Sequence, residues 1–239
     1  HFRDELAFQN QELETTKEAF RMANKKLNLL SSITRHDILN HLTSLLRYMD
    51  ISEDMTDNPA HRDLIKKEQQ IADAIRRQLE FTRNYQDIGV KEPIWHSLPE
   101  QFEEIQKTFC HESIHLSSSM GMIQIYADPL FPLICHNLID NSIRHGGKLQ
   151  NILFSTRKEG DNLVIVYEDD GCGIPVGEKE KIFERGYGKN TGMGLFLSRE
   201  ILSITGLSMK ETGVFGTGSR FEIIVPPDCY RYYQESSPV

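Results

Sequence analysis

The spacing of apolar residues changes character once, between Gly89 and Pro93, and that change divides the chain into two kinds of structure. Up to residue 88 the pattern is helical. Leu6, Leu13, Phe20 and Leu27 fall at heptad spacing, the seam of a short parallel coiled coil. At about 100° per residue, Ile38, Leu39, Leu42, Leu45, Leu46 and Met49 then form one stripe, expected to be the buried side of a helix that continues to about residue 50. A polar turn is expected over 52–58. There Asn58-Pro59 supplies an N-cap amide and a proline at the first position of a second helix. That helix runs to about residue 87, with Leu64, Ile71, Ile75, Leu79, Thr82 and Tyr85 at three and four spacing, and closes at Gly89. Two such helices bury too little alone, so a homodimer is expected in which two hairpins make a four-helix bundle.

Beyond the linker at 89–93 the elements are mixed. Strands are expected at 94–97, 122–126, 207–211 and 219–225, and helices at 99–109, 129–145 (capped by Asp128) and 193–205. Two alternating segments, 151–157 and 162–168, form a hairpin through Lys158-Glu159-Gly160-Asp161. Pro226-Pro227 is expected to end the fold, and residues 234–239 to fray. The order reads as an α+β two-layer sandwich rather than alternating βαβ units.

With 38% hydrophobic and 26% charged residues in 239, the composition is that of a soluble globular protein. No run approaches the roughly 18 apolar residues of a membrane span, and no secretory leader is expected. The net charge of −8 comes without a basic stripe, since Lys66-Lys67 and Arg76-Arg77 alternate with acids, so nucleic acid is excluded as a partner. Cys110, Cys135, Cys172 and Cys229 include no Cys-x-x-Cys pair, which argues against a zinc ribbon or redox motif and for a reducing, cytoplasmic location. A chain opening on His1 is expected to be a fragment whose upstream sensor or membrane region has been removed.

Four stretches carry chemistry. His36 falls roughly 120° from the centre of the apolar stripe, on a polar flank with Asn40, Thr43 and Arg47. Asp37 could accept from one ring nitrogen and leave the other nucleophilic, while Asn40, one turn on, could orient an oxygen beside the ring. On the helix 129–145, Asn137, Asn141, Arg144 and His145 form a polar stripe. Its carboxamide oxygens suit a hard Mg²⁺ and its guanidinium suits phosphate, the bland alternative being a solvated helix face. Glu168-Asp169-Asp170-Gly171-Cys172-Gly173 ends a strand with a carboxylate that could accept the exocyclic amine of adenine, and with glycines that admit a flat ligand. The glycines of 186–194 open a helix whose unpaired N–H groups suit a polyphosphate, yet Asn190 after Lys189 breaks the P-loop pattern and the dinucleotide pattern is absent. His111-Glu112-Ser113-Ile114-His115 fits the zinc-protease motif. It lacks a third ligand and leads into Leu116-Ser117-Ser118-Ser119, a poor helix continuation.

His36-Asp37-x-x-Asn40 resembles the phosphoacceptor box of two-component sensor histidine kinases. Asn137 to His145 looks like the N box of their catalytic domain, Asp169-Asp-Gly171-Cys-Gly173 the G1 box, Ile182-Phe183-Glu-Arg the F box, and Gly192-Met-Gly194-Leu-Phe-Leu the G2 box. Gly216-Thr217-Gly218-Ser-Arg-Phe221 matches the closing strand. The resemblance implies a coiled-coil signalling helix (1–26), a dimerisation and histidine phosphotransfer hairpin (27–88), a linker (89–93), a catalytic ATP-binding domain (94–228) of the histidine kinase, Hsp90, gyrase B and MutL type, and a tail (229–239). It further implies ATP as substrate, Mg²⁺ held by Asn137, phosphate or nucleotide contacts from Asn141, Arg144 and His145, and adenine read by Asp169. Gly171, Gly173, Phe183, Lys189, Thr191, Gly192, Gly194, Leu195 and Thr217 complete the expected site. The chain departs from the family pattern in Asp170, where Asn is commoner, in Arg144 for Lys, and in a short lid over 186–191. The expected activity is phosphorylation of His36 from ATP, transfer to an aspartate of a separate response regulator, and phosphatase action on that regulator aided by Asn40. The alternatives are a degenerate kinase serving as a nucleotide-binding dimeric scaffold, and a plain ATPase.

Overall fold

A single helix, α1, runs unbroken over Phe2–Asp54, a stretch without proline or glycine. The computed structural model describes residues 2–109, 114–188 and 192–234. The chain divides into two compact units, His1–Gln86 and Asp87–Val239.

In the first unit α1 extends four residues past its expected end before turning back into α2, Pro59–Asp87. Asn58 caps α2 as expected, its Oδ1 accepting the Ala60 N–H at 3.0 Å. The helices run antiparallel, tied at one end by Gln69 Nε2 donating to Asp50 Oδ1 (2.9 Å) and at the other by Arg35 Nη2 donating to Gln86 Oε1 (2.8 Å). The apolar stripes are less buried than expected. Leu42, Ile65 and Ala72 are buried, whereas Ile38, Leu45, Leu64, Ile71, Ile75 and Tyr85 are exposed. Two helices meet along one line, and a stripe wider than that line leaves its flanks in water. Of the heptad residues, Leu13 is exposed, and the side chains of Leu6, Phe20 and Leu27 lie outside the described residues.

The second unit has the expected two layers. The elements are β1 (Ile94–Ser97), α3 (Leu98–Thr108), β2 (His115–Ser119), β3 (Ile123–Ala127), α4 (Phe131–His145), β4 (Asn151–Glu159), β5 (Asn162–Asp169), α5 (Gly194–Ser203), β6 (Ser208–Glu211), β7 (Arg220–Val225) and β8 (Tyr230–Tyr232). One sheet has the order β2-β4-β5-β7-β6, antiparallel except for β2 and β4, and a smaller antiparallel sheet has the order β1-β3-β8. Asp128 fixes the approach to α4, its Oδ1 accepting the Leu130 N–H at 2.8 Å and its Oδ2 the Gly89 N–H at 2.9 Å.

Two strands correct the sequence reading. Leu116-Ser117-Ser118-Ser119, a poor helix continuation in which no strand is expected, lies in β2, where pairing with β4 rather than side-chain pattern makes the strand. His115 therefore sits on an edge strand and not on a zinc-binding helix, and residues 110–113 lie outside the described residues. The fold also continues past Pro226-Pro227: Tyr230–Tyr232 pairs with β3, so the expected tail 229–239 begins with a strand. Such a three-residue edge strand has too short a pattern to stand out in sequence.

The core lies between the helices and the larger sheet. Phe102 of α3 meets Phe154 of β4 edge-on at 5.8 Å, and Tyr167 of β5 contacts both Phe154 (5.1 Å) and Phe221 of β7 (6.2 Å). From Leu163 to Tyr167 every residue of β5 is buried, so its second face is covered too. Near it, Glu222 receives Arg157, Lys210 and Arg220, each at 3.1 Å. Burial favours the neutral acid, yet the Lys210 and Arg157 hydrogen bonds outweigh it and hold the Glu222 carboxyl below its ordinary range.

Candidate functional site

α4, the turn after β5 and the entry to α5 converge on one cleft of about 290 Å³. The buried face of α4 is set by Ile134, Cys135, Leu138, Ile139 and Ser142, at three and four spacing. That stripe leaves Asn141 and His145 on the cleft wall. Ile174, Pro175, Ile182, Leu195 and Phe221 line it with carbon, which suits a flat heterocycle.

Asp169 is 8% exposed and one hydrogen bond behind that lining. Its Oδ1 accepts the N–H groups of Gly171 (2.9 Å) and Ser219 (3.0 Å), and its Oδ2 accepts the Ser142 hydroxyl (2.5 Å). Ser142 in turn accepts the Tyr167 hydroxyl at 2.6 Å, and burial raises the pKa of that phenol, so it stays a donor. The carboxylate is thus locked in orientation. Gly218 makes the close approach possible: at φ +145° it lies so near that a Cβ would overlap the Asp169 carbonyl oxygen.

Asp170 has a job of its own. Its Oδ1 accepts the N–H groups of Gln150 (2.8 Å) and Asn151 (2.9 Å), and its Oδ2 accepts Asn151 Nδ2 (2.7 Å). Burial opposes ionisation, but these donors together outweigh it and hold the Asp170 carboxyl below its ordinary range. An asparagine here would offer one acceptor oxygen where two are used.

Asn137 joins α4 to α5, its Nδ2 donating to the Gly194 carbonyl (3.1 Å) and to Ser198 Oγ (3.2 Å). That leaves Oδ1 as the acceptor a hard cation requires, so the donor set fits Mg²⁺. Gly192, at φ +57°, has Tyr187 so close that any Cβ would overlap its carbonyl.

The cleft gathers Asn141, His145, Gly173 and Leu195 of the expected site. Asp169 and Gly171 stand directly behind it through the bonds above, and Gly194, held by Asn137, immediately precedes the lining residue Leu195. Phe183 is buried with its edge toward Phe221 at 6.2 Å, another step back. Two expected residues are not brought in: Arg144 pairs with Asp140 at 2.7 Å on the exposed side of α4, and the Thr217 hydroxyl donates to the Val214 carbonyl at 2.8 Å. Lys189 and Thr191 lie outside the described residues. Ser142 and Tyr167 are absent from the sequence-derived set. A serine within the apolar stripe of α4 was the available signal for the first, and nothing marks the second.

Residues 128–228 match the model of the family described as histidine kinase-, DNA gyrase B-, and HSP90-like ATPases. The chain is 34% identical over 98 residues to the alginate biosynthesis sensor protein KinB of Pseudomonas aeruginosa, covering 39% of this chain and 16% of that one. It is 25% identical over 202 residues to the signal transduction histidine-protein kinase AtoS of Escherichia coli, covering 80% and 33%. Residues 128–228 thus form an ATPase domain of the histidine kinase, DNA gyrase B and HSP90 type. The chain spans a third or less of the length of these two relatives. Among solved structures, full-length ShkA in complex with AMPPNP superposes with a TM-score of 0.61 at 17% identity, covering 82% of this chain and 45% of that one. The Acinetobacter baumannii histidine kinase AdeS gives 0.53 at 16% identity, covering 80% and 97%. At those identities the likeness is one of fold. The matched ATPase domain lies in the second unit, while the candidate acceptor lies in the first. There His36 is exposed on α1, with Nδ1 3.4 Å from Asp37 Oδ1 and 3.3 Å from Asn40 Nδ2.

Proposed function

We propose that this chain is the kinase core of a sensor histidine kinase that phosphorylates its own His36 from ATP and passes the phosphoryl group to an aspartate of a separate response regulator. The observation that carries this is the pose of the imidazole. Asp37 and Asn40 both address Nδ1, and no described group bonds to Nε2. With Nδ1 protonated toward Asp37, the lone pair lies on Nε2. That nitrogen attacks the γ-phosphorus in line, the bond from phosphorus to the β–γ bridging oxygen breaks, and ADP leaves with the electron pair. The Nδ1 proton passes to Asp37 or to water. When Nδ1 is unprotonated it accepts from Asn40 Nδ2 instead, and the amide's Oδ1 is left to orient a water during the proposed phosphatase reaction.

In the cleft, Asp169 accepts the adenine amine, and the apolar lining holds the ring. Asn141 and His145 face the nucleotide, and the N-terminus of α5 takes phosphate. Asn137 Oδ1 would hold Mg²⁺, which offsets phosphate charge when bound. Arg144 serves the phosphates only by leaving Asp140. Lys189 and Thr191 complete the proposed nucleotide set, and Thr217 would join it only by releasing the Val214 carbonyl.

The acting unit is a homodimer through the hairpin, supported by the exposed Ile38, Leu45, Leu64, Ile71 and Ile75. No helix among the described residues is long and apolar enough to cross a membrane. We place this portion in the cytoplasm, below an upstream sensor region.

Incubation with γ-labelled ATP tests the proposal. The unaltered chain should gain acid-labile, base-stable label, and His36→Gln should bind ATP without gaining any. Label on His36→Gln refutes the acceptor. ATP binding without label on either chain favours the nucleotide-binding scaffold.

A further inference from the structure

One side chain outside the expected site ties three elements around the cleft together. Arg199 projects from α5, and its guanidinium carbon lies 3.5 Å from the centroid of the Phe183 ring, a stacked cation–π contact. Nη1 and Nη2 both donate to Glu180 Oε2 at 3.1 Å, and Nε donates to the Met209 carbonyl at 3.2 Å. All three nitrogens are engaged. They join α5 to the one-turn helix Lys181–Phe183 on one side and to β6 on the other.

Both joined pieces bear on the cleft. Ile182 lines it between two residues that Arg199 holds, Glu180 by charge and Phe183 by stacking. Leu195, one turn before Arg199, lines it from α5, and the same helix begins at Gly194, which Asn137 grips. The Lys181–Phe183 turn is too short to hold its own position, because a single 3₁₀ turn supplies few hydrogen bonds. Phe183 is 4% exposed and, among the described residues, its ring otherwise meets the ring of Phe221 alone.

We propose that Arg199 is a positioning residue for nucleotide binding, fixing the Ile182 wall against α5 through Phe183 and Glu180. This rests on the reading of the cleft as an ATP site. Arg199 touches no substrate in this role, so its loss alters affinity and leaves the phosphoryl step intact at saturation.

The test measures ATP affinity of the full chain by titration calorimetry, with circular dichroism to confirm folding. Arg199→Met, which keeps length over the ring but not the charge, should weaken ATP binding about tenfold. Glu180→Gln should weaken it about threefold, as befits an exposed ion pair. In a Phe183→Leu background, Arg199→Met should add little, because the two act as one device. The KM for ATP in His36 labelling should rise with the dissociation constant, while the rate at saturating ATP holds. An unchanged affinity in Arg199→Met, or a full additive loss in the Phe183→Leu background, overturns the role of Arg199 and leaves the proposed function standing. If the unaltered chain binds no ATP, the proposed function falls and this role with it. Should Arg199→Met fail to fold, Glu180→Gln decides alone, and affinity equal to that of the unaltered chain overturns the proposal.

Discussion

The helical hairpin and the catalytic unit use the same apolar residues to different ends. In the hairpin the described side chains that disappear from solvent are few, chiefly Leu42, Ile65 and Ala72, and isoleucines at 38, 71 and 75 stay in water. In the catalytic unit Ile125, Ile134, Leu138, Ile152, Leu163 and Val225 are each 1% exposed or less. The first pattern leaves an apolar surface that the proposed second copy would cover, and the second is a core already closed. Stability of the catalytic unit should therefore be a property of one chain, and stability of the hairpin a function of concentration.

The largest effect expected from that contrast is in the closed core. Ile134→Ala should destabilise the catalytic unit by about 2–5 kcal/mol, since the cavity cannot collapse between α4 and the sheet. Trp95, the single tryptophan, lies in this unit, so its fluorescence during urea unfolding reports the change. Next is Asp169→Asn, which places an N–H₂ against groups that all donate. ATP affinity should fall about thirtyfold by calorimetry, with the hairpin's helicity unaltered. Third, Ile71→Ala should raise the dimer dissociation constant about tenfold in sedimentation equilibrium, with the Trp95 unfolding midpoint unmoved. If Ile71→Ala instead shifts that midpoint, the contrast between the two regions breaks.

The smallest expected effect is on pH. Burial, the dominant cause, lowers the pKa of His96 from its ordinary 6.5, against weaker support from its hydrogen bond to the Asp128 carbonyl at 3.0 Å. His136 is lowered by burial as well. The unfolded chain then binds these protons more tightly than the folded one. Stability is full above about pH 6.5 and is lost as pH falls below it. Melting followed by Trp95 should drop by about 3 °C between pH 7.5 and 5.5, and His96→Gln should flatten part of that slope.

Most elements of the fold were legible because long helices and paired strands carry their periods in sequence. β4, β5, β6 and β7 fall within two residues of their expected bounds. β2 and β8 were not, since Ser117-Ser118-Ser119 and Tyr230-Arg231-Tyr232 become strands through the neighbour each pairs with. In the site, Asn141, His145, Asp169 and the glycines were marked by spacing. Arg144 stands apart from the cleft because its i,i+4 partner Asp140 holds the guanidinium, and sequence order does not say which partner wins.

By itself the sequence determined where most helices and strands lie, that a carboxylate follows β5 ahead of a glycine turn, and that an imidazole stands on a polar helix flank. Those follow from local periodicity and from residues whose chemistry is fixed wherever they sit. Only the tertiary structure decided that Ser142 and Tyr167 orient Asp169, that Arg199 binds the Lys181–Phe183 turn to α5, and that the hairpin's isoleucines remain uncovered. Each depends on which groups distant in the chain come within a few ångströms, and that is set by packing.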